Sequence, residues 1–477
     1  MSQINAIAHF MTLILQNNPD YQSIDTFFLQ NQILALAGVD SLNKLCTDDA
    51  SALETVQTLS DQEITRSQLL SLYTPKPSTF NRIFWNRYDA LGPQAATSYF
   101  YRLVQNNGYL QRDKIQKNRH FAASSPYGLL ELTINLAKPE KTAASITAAQ
   151  KSTTHRYPKC ALCFENEGYL GGGTQALRSQ HRLAYLTLNG KRWGLQYSPY
   201  AYFKEHLIVI SQNHEPMKID MDTYRELLEF VTIFPHYFLG SNAGLPIVGG
   251  SVLNHEHYQG GAHQFPIEKA SVVQTIPNHY PGVVSELLNW PITTFKLTGT
   301  SIPDLVRCAS ELTARWKRYD DSDVDIVSHS GNQEHHTITP LARKTAHGYT
   351  LLLLLRDNHT TAEFPGGVFH VHPEYQHIKQ ENIGLIEAFG LAILPGRLDR
   401  ELVEVKKFLR DQPNQMKPYH LTWAKKLKQA KIDTDLDLFL QKQLGGVFQN
   451  ILENCGVIKD LTPQNPHLKR LITFLFK

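Results

Sequence analysis

The sequence predicts an α+β protein: two similar halves with antiparallel-rich sheets, preceded by an N-terminal helical region. Three observations carry this expectation. Apolar residues recur at intervals of three and four through the first part of the chain, which is helical spacing. From Leu130 onward the period changes to two, which is a strand signature. The order strand, glycine pair, His-x-His then occurs twice, around Gly249–His257 and around Gly366–His372, about 115 residues apart. The divisions that follow are 1–125 for the helical region, 126–268 and 269–400 for the two halves, and 401–477 for a helical C-terminal flank.

In chain order, Ile4, Ile7, Met11 and Ile14 recur as an amphipathic helix does. Leu69, Leu70, Leu72 and Tyr73 continue the helical pattern, which Pro75 and Pro77 interrupt. Phe84, Trp85, Tyr88, Tyr99, Phe100 and Tyr101 read as core rather than as a ligand platform. Leu130, Leu132, Ile134 and Leu136 alternate as a strand. A segment rich in Ala, Thr and Ser, Thr142–Thr154, connects to the next unit. Asn189-Gly190 supplies a hairpin turn between Leu183–Leu188 and Trp193–Gln196. His206–Ile210 reads as a buried strand and Asp222–Phe234 as a helix. Tyr349–Arg356 is an apolar strand, and Gly366–His372 leads into a second His-x-His strand. Helical spacing resumes from Glu381 to Ala392 and stops at Pro395-Gly396. From Asp399 on, a helical tail of mixed charge reads as a solvated flank.

Composition narrows the function. A chain of 477 residues is too long for one small core, so two or three units are expected. The formal charge of +3 is near zero for this size. It excludes the extended nucleic-acid footprint that clustered Lys and Arg would make. No run approaches the roughly 18 apolar residues that span a bilayer, and Met1–Asn17 lacks a basic leader, so neither a membrane segment nor a signal peptide is expected. The five cysteines, Cys46, Cys160, Cys163, Cys308 and Cys455, are few and odd in number. They suggest no disulfide framework and a reducing, cytoplasmic setting.

The chemistry concentrates between Gly249 and Gly261, in the run Gly249-Gly250-Ser251 through Asn254-His255-Glu256-His257-Tyr258-Gln259. If Val252–Gln259 is a strand, His255, His257 and Gln259 lie in one row on one face. That face can address one phosphorus centre, with an imidazole to attack it and an amide to hold its oxygen. The flanking glycines let backbone N–H groups approach an anion. The competing reading is a buried strand with two satisfied histidines. Cys160-x-x-Cys163 has metal-ligand spacing, and a redox pair is its rival. Tetrahedral zinc needs two more ligands, for which His214 and His255 are the best candidates. Such a site is closed and structural, holding zinc or an iron ion in its place.

Cys-x-x-Cys, Ser-Gln-Asn-His214 and Asn-His255-Glu-His257-Tyr-Gln259, in this order, resemble the galactose-1-phosphate uridylyltransferases of the histidine-triad superfamily. Glu165–Tyr169, Trp193–Tyr200, Pro216–Asp220 and Phe234–Asn242 look like that family's second, bacterial class. The resemblance runs from about Phe84 to Arg397. It implies two histidine-triad-like halves. It also implies transfer of UMP from UDP-glucose to galactose 1-phosphate, giving glucose 1-phosphate and UDP-galactose.

By motif position, His257 matches the nucleophile and Gln259 the amide that steadies the uridylyl phosphate. Cys160, Cys163, His214 and His255 match the zinc ligands of the first class. Asn242 and Ser251, with the Gly249-Gly250 pair, fall near its substrate-phosphate contacts. Lys138 and Lys141 stand where that class has two arginines. Glu256 replaces the proline usual between the histidines, and His370 and His372 fall near a second metal site that Glu374 and the spacing do not complete. An amide at position 259 cannot protonate a poor leaving group, which favours transferase over hydrolase. Two alternatives stand beside this reading: a nucleotide-sugar or dinucleotide phosphorylase of the same superfamily, and a non-catalytic, zinc-supported binding module. The assembly, a homodimer or otherwise, is not legible from motifs.

Overall fold

The computed structural model describes residues 4–37, 45–46, 63–137, 157–171, 177–250, 252–430 and 435–477. Lys138, Lys141, Ser251 and the Thr142–Thr154 connector lie outside the described residues. The chain divides into two compact units. One comprises Met1–Arg112, Lys151–Ala201 and Leu207–His214; the other comprises Asp113–Gln150, Tyr202–His206 and Glu215–Lys477.

The longer helices, in chain order, begin with α1 (Ala6–Asn17), α2 (Thr26–Ala37), α3 (Glu63–Leu72), α4 (Pro77–Leu91) and α5 (Pro93–Asn106). They continue with α6 (Met221–Ile233), α7 (Ile302–Trp316), α8 (Leu398–Leu409), α9 (Leu421–Gln429), α10 (Leu436–Cys455) and α11 (Pro466–Phe476). The strands of three residues or more start with β1 (Arg119–Ser125), β2 (Gly128–Asn135), β3 (Ala184–Leu188), β4 (Lys191–Tyr197) and β5 (Leu207–Ser211). Next come β6 (Phe238–Gly240), β7 (His257–Gly261), β8 (Val272–Ile276) and β9 (Val284–Leu288). The last four are β10 (Thr294–Gly299), β11 (His336–Thr345), β12 (Gly348–Asp357) and β13 (Leu391–Pro395).

The first unit holds the N-terminal helices. Ile7, Phe10, Met11 and Ile14 form the buried stripe of α1. Prolines at 77 and 93 start α4 and α5, where their missing N–H costs nothing. Of the aromatic run, Phe84 and Phe100 are core, while Trp85, Tyr88, Tyr99 and Tyr101 are only half-buried. Phe80 and Phe100 pack with ring centroids 4.6 Å apart, and Phe100 meets Tyr197 at 5.0 Å. Strands β3, β4 and β5 pair antiparallel. The Asn189-Gly190 turn closes β3 on β4 with positive φ at both residues, 49° and 71°, as a two-residue hairpin loop of the primed kind requires.

In the second unit seven strands run in the order β8-β9-β10-β12-β11-β6-β7, every neighbour antiparallel. Leu351–Leu355 of β12 are buried on both faces. On α6, Asp220 caps the helix by accepting the Thr223 N–H at 3.1 Å, and Tyr224 is joined to Thr313 of α7 by a buried 2.5 Å hydroxyl contact. A smaller sheet has the order β13-β2-β1, with β13 parallel to β2. Its core includes Leu130, Leu132, Trp290, Phe389 and Ile393.

Four expectations are corrected here. The strand with the first His-x-His begins at His257 and not at Val252. Residues 253–256 are tied elsewhere: Met217 N–H donates to the Leu253 carbonyl and Glu256 N–H to the Glu215 carbonyl. Gly366–His372 is not a strand. Gly367 takes φ +111°, its N–H closes a turn on Phe364, and Pro373 begins a 3-10 turn. Glu381–Ala392 contains only a four-residue helix, Leu385–Ala388, because Gly390 at φ +103° turns the chain into β13. The tail is helical but not solvated throughout. Leu444, Val447, Phe448, Ile451 and Leu452 of α10 belong to the core over β1 and β2. There Gly445 leaves room for Ala123, and Tyr127 donates to Glu453 at 3.1 Å.

Candidate active site

His257 is the first residue of β7 and Gln259 the third, so their side chains share a face. His255 precedes the strand, so that row holds two of the three residues expected in it. His257 is buried, 6% exposed. Its Nδ1 lies 2.8 Å from the His255 carbonyl oxygen and donates to it, which leaves the lone pair on Nε2. Burial pulls its pKa down to about 4, so the ring is neutral at pH 7. The next residue, Tyr258, points to the opposite face, where its hydroxyl donates to buried Glu226 at 2.5 Å.

Gln259 has a partner that the sequence reading passed over. Its Oε1 is 3.1 Å from Nε2 of His206, a fully buried imidazole that burial brings to about pKa 4. His206 was visible only as the first letter of a strand. No motif pointed to it, because the two residues stand 53 positions apart.

Gly240 pairs with Gln259, and two residues further on lies buried Asn242. The Asn242 Oδ1 accepts the Leu385 N–H at 2.8 Å, which turns Nδ2 toward the glycine pair. A Cβ on Gly250 would stand 2.7 Å from that nitrogen, so glycine is required for the approach. Ala243 bridges to Gly249, and Asn382 Nδ2 donates to the Gly249 carbonyl at 3.3 Å. Asn242, Gly249 and Gly250 are therefore brought together. His370 and His372 are used locally: His370 Nε2 accepts the Ile383 N–H at 3.3 Å, and His372 Nε2 donates to the Val368 carbonyl at 3.0 Å.

In the first unit, Cys160, Cys163 and His214 gather into a group that could hold a metal ion. The sulfurs are 3.6 Å apart, and Cys163 Sγ is 3.1 Å from His214 Nδ1. Two thiolates on one tetrahedral zinc, at ~2.3 Å each, stand about 3.8 Å apart, so the donor set fits. Hydrogen bonding from Cys163 brings the Cys160 thiol down to about 7, with further help from the Leu162 N–H. Among the described residues neither cysteine forms a disulfide. His255, in the second unit, is fully buried.

The comparisons agree with one another. Two family models match: "Galactose-1-phosphate uridyl transferase, N-terminal domain" over residues 19–216 and "Galactose-1-phosphate uridyl transferase, C-terminal domain" over residues 229–425. The galactose-1-phosphate uridylyltransferase of Lactiplantibacillus plantarum is 45% identical over 472 residues, covering 96% of each chain. The enzyme of that name from Clostridium perfringens is 42% identical, again over 96% of each. A crystal structure of yeast Ap4A phosphorylase covers 79% of this chain and 97% of its own, but at 9% identity and a TM-score of 0.38 the likeness is too remote to carry weight. With both family models matching in order and relatives above 40% identity over 96% of each chain, the chain belongs to the galactose-1-phosphate uridyl transferase family.

Proposed function

We propose that the chain transfers the uridylyl group of UDP-glucose to galactose 1-phosphate, releasing glucose 1-phosphate and forming UDP-galactose, by a ping-pong reaction through His257 in galactose metabolism. One observation carries the reading: 45% identity over 96% of both chains to a relative named galactose-1-phosphate uridylyltransferase. The role of His257 is supported by its neutral ring and by a tautomer that leaves Nε2 as the nucleophilic nitrogen. Nε2 attacks the α-phosphorus. An N–P bond forms, and the bond from that phosphorus to the bridging oxygen breaks. The electron pair leaves with glucose 1-phosphate, which needs no strong protonation. A phosphate oxygen of galactose 1-phosphate then attacks the same phosphorus and returns the electron pair to Nε2. Gln259 holds a phosphoryl oxygen through both steps. Asn242, Gly249 and Gly250 receive the sugar phosphate, together with Ser251, Lys138 and Lys141 on the strength of their sequence positions.

The proposed metal set is Cys160, Cys163, His214 and His255. A zinc ion, or iron in its place, would act there as a structural cross-link. The protein's working compartment is proposed as the cytoplasm, from its few cysteines. Among the described residues no helix is long and apolar enough to cross a membrane.

The test is incubation with UDP-glucose labelled in its α-phosphate, without acceptor. Label should stay on the protein through alkali and leave in acid, as a phosphoramidate does. Added galactose 1-phosphate should discharge it as UDP-galactose. Discharge by inorganic phosphate as UDP, with none by galactose 1-phosphate, would replace the reading by the phosphorylase one. Absence of any uridylyl exchange would leave the binding module.

A further inference from the structure

We infer that His206 is a positioning residue for Gln259: its Nε2–H donates to the carboxamide oxygen, fixes which way the amide faces, and leaves the amide nitrogen to donate to the transferred phosphoryl group. This rests on the reading of Gln259 proposed above.

A glutamine amide has two faces of opposite character. Turned one way it offers N–H groups to a phosphoryl oxygen; turned the other way it offers a lone pair, which repels it. Something must choose. The Oε1 of Gln259 is 3.1 Å from Nε2 of His206, and His206 is 2% exposed, so little water competes for the bond. The other ring nitrogen, Nδ1, is 3.5 Å from the Tyr202 N–H and accepts from it. Its lone pair is thus engaged, and the single ring proton of the neutral imidazole sits on Nε2. A donor at that nitrogen can be matched only by the amide oxygen.

The ring plane is held as well. Tyr202 stacks on it with centroids 5.1 Å apart and 28° between planes, and Phe203 packs at 4.6 Å. The His206 N–H donates to the Phe203 carbonyl at 3.2 Å, which closes the turn leading into β5. Burial keeps the ring neutral, so this pattern of one donor and one acceptor persists at pH 7.

The test is a double-mutant cycle on the full chain, read by the rate of glucose 1-phosphate release from UDP-glucose and by thermal midpoint. The variants are His206→Phe, which keeps ring volume and loses the donor; His206→Gln, which restores an N–H near the same place; and Gln259→Ala, alone and combined with His206→Phe. On the proposal, His206→Phe lowers kcat by roughly 10-fold with little change in KM, His206→Gln recovers most of it, and His206→Phe slows the Gln259→Ala protein by less than about 2-fold. Equal loss in both backgrounds, or no loss of kcat from His206→Phe, overturns the positioning role while the transferase reading stands. A Gln259→Ala protein of full activity removes the role of Gln259, and that of His206 with it. Should His206→Phe fail to fold, Gln259→Glu decides. It keeps an oxygen for His206 but has no N–H, so it must be at least as slow as Gln259→Ala, and full activity overturns the proposal.

Discussion

Nδ1 of His257 donates to the carbonyl oxygen of His255 across 2.8 Å, so a residue two positions upstream sets the tautomer of the proposed nucleophile. The bond comes from backbone, and no side-chain substitution at 255 removes it directly. Replacing His257 by Ala should abolish the labelled intermediate and both half-reactions. His257→Gly with added imidazole should restore one half-reaction, since the missing nucleophile is small and diffusible. Initial-rate plots against the two substrates should be parallel in the wild-type protein; intersecting lines and an active His257→Ala protein would move the nucleophile elsewhere.

Gln259→Ala should slow both half-reactions without removing the intermediate. The expected loss is ~2–4 kcal/mol in barrier, the size of one lost oxyanion donor. Rapid-quench measurement of each half-reaction checks it.

Cys163→Ser should cost more in stability than in selectivity between sugar phosphates. Elemental analysis of active protein is expected to find zinc or iron, and the variant should lose it. The destabilisation should lie at or above the top of the ~0.5–3 kcal/mol range of ordinary substitutions, since loss of a metal is among the mechanisms behind larger values. Active wild-type protein free of both metals would refute the site.

Gly249→Ala places a Cβ 2.5 Å from the Leu245 carbonyl and 2.8 Å from Leu253 Cδ2. Overpacking of this kind costs ~1–3 kcal/mol. Because the displaced loop carries Gly250 toward Asn242, KM for the sugar phosphate should rise. Gly446→Ala is the contrast. It is exposed on α10 with nothing within 4 Å of a new Cβ, and should gain about 0.5–1 kcal/mol. Urea denaturation of both variants reads the difference in sign.

Acid should weaken the fold before it protonates most carboxylates. Burial brings His206 to about 4, and burial with Arg356 nearby brings His370 to about 3. Unfolded, both would titrate near 6.5. Below that value the unfolded chain takes up protons that the folded one refuses, so stability is full above pH 6.5 and is lost as pH falls toward 4 and 3. Each group should cost about 2 kcal/mol between pH 7 and pH 5. Urea midpoints across that range, and their flattening in His370→Gln, check the sign.

Local chemistry was the legible part of this chain. Asn189-Gly190 closes a hairpin wherever it stands, because φ above zero at two residues asks for those side chains. The Cys160–Cys163 spacing points to His214 through chemistry that a short sequence holds. The failures share a cause. Residues 253–256 have strand spacing but give their hydrogen bonds to 215 and 217, and Gly366–His372 has strand letters but spends its backbone on turns. Which partner a backbone group finds is a tertiary matter, and alternation cannot report it. His206 was missed for the same reason: a single buried histidine acquires meaning only when the fold sets it against Gln259. The tail misled through its charges, which lie on the outer faces of helices whose inner faces carry Phe448 and Ile451.

The bond from Tyr127 to Glu453 joins residues 326 positions apart, across the seam between the β1–β2 hairpin and α10. A ribosome adding 5–20 residues each second makes the hairpin roughly 15–65 s before its cover. For that interval Leu130 and Leu132 have no helix to lie against, and the nascent chain must keep an apolar ribbon soluble. A stop codon anywhere before α10 would make that interval permanent. Loss of the chain from Leu436 on, less than a tenth of its length and carrying none of the proposed site residues, should therefore be as damaging to the cell's supply of active protein as loss of the site itself.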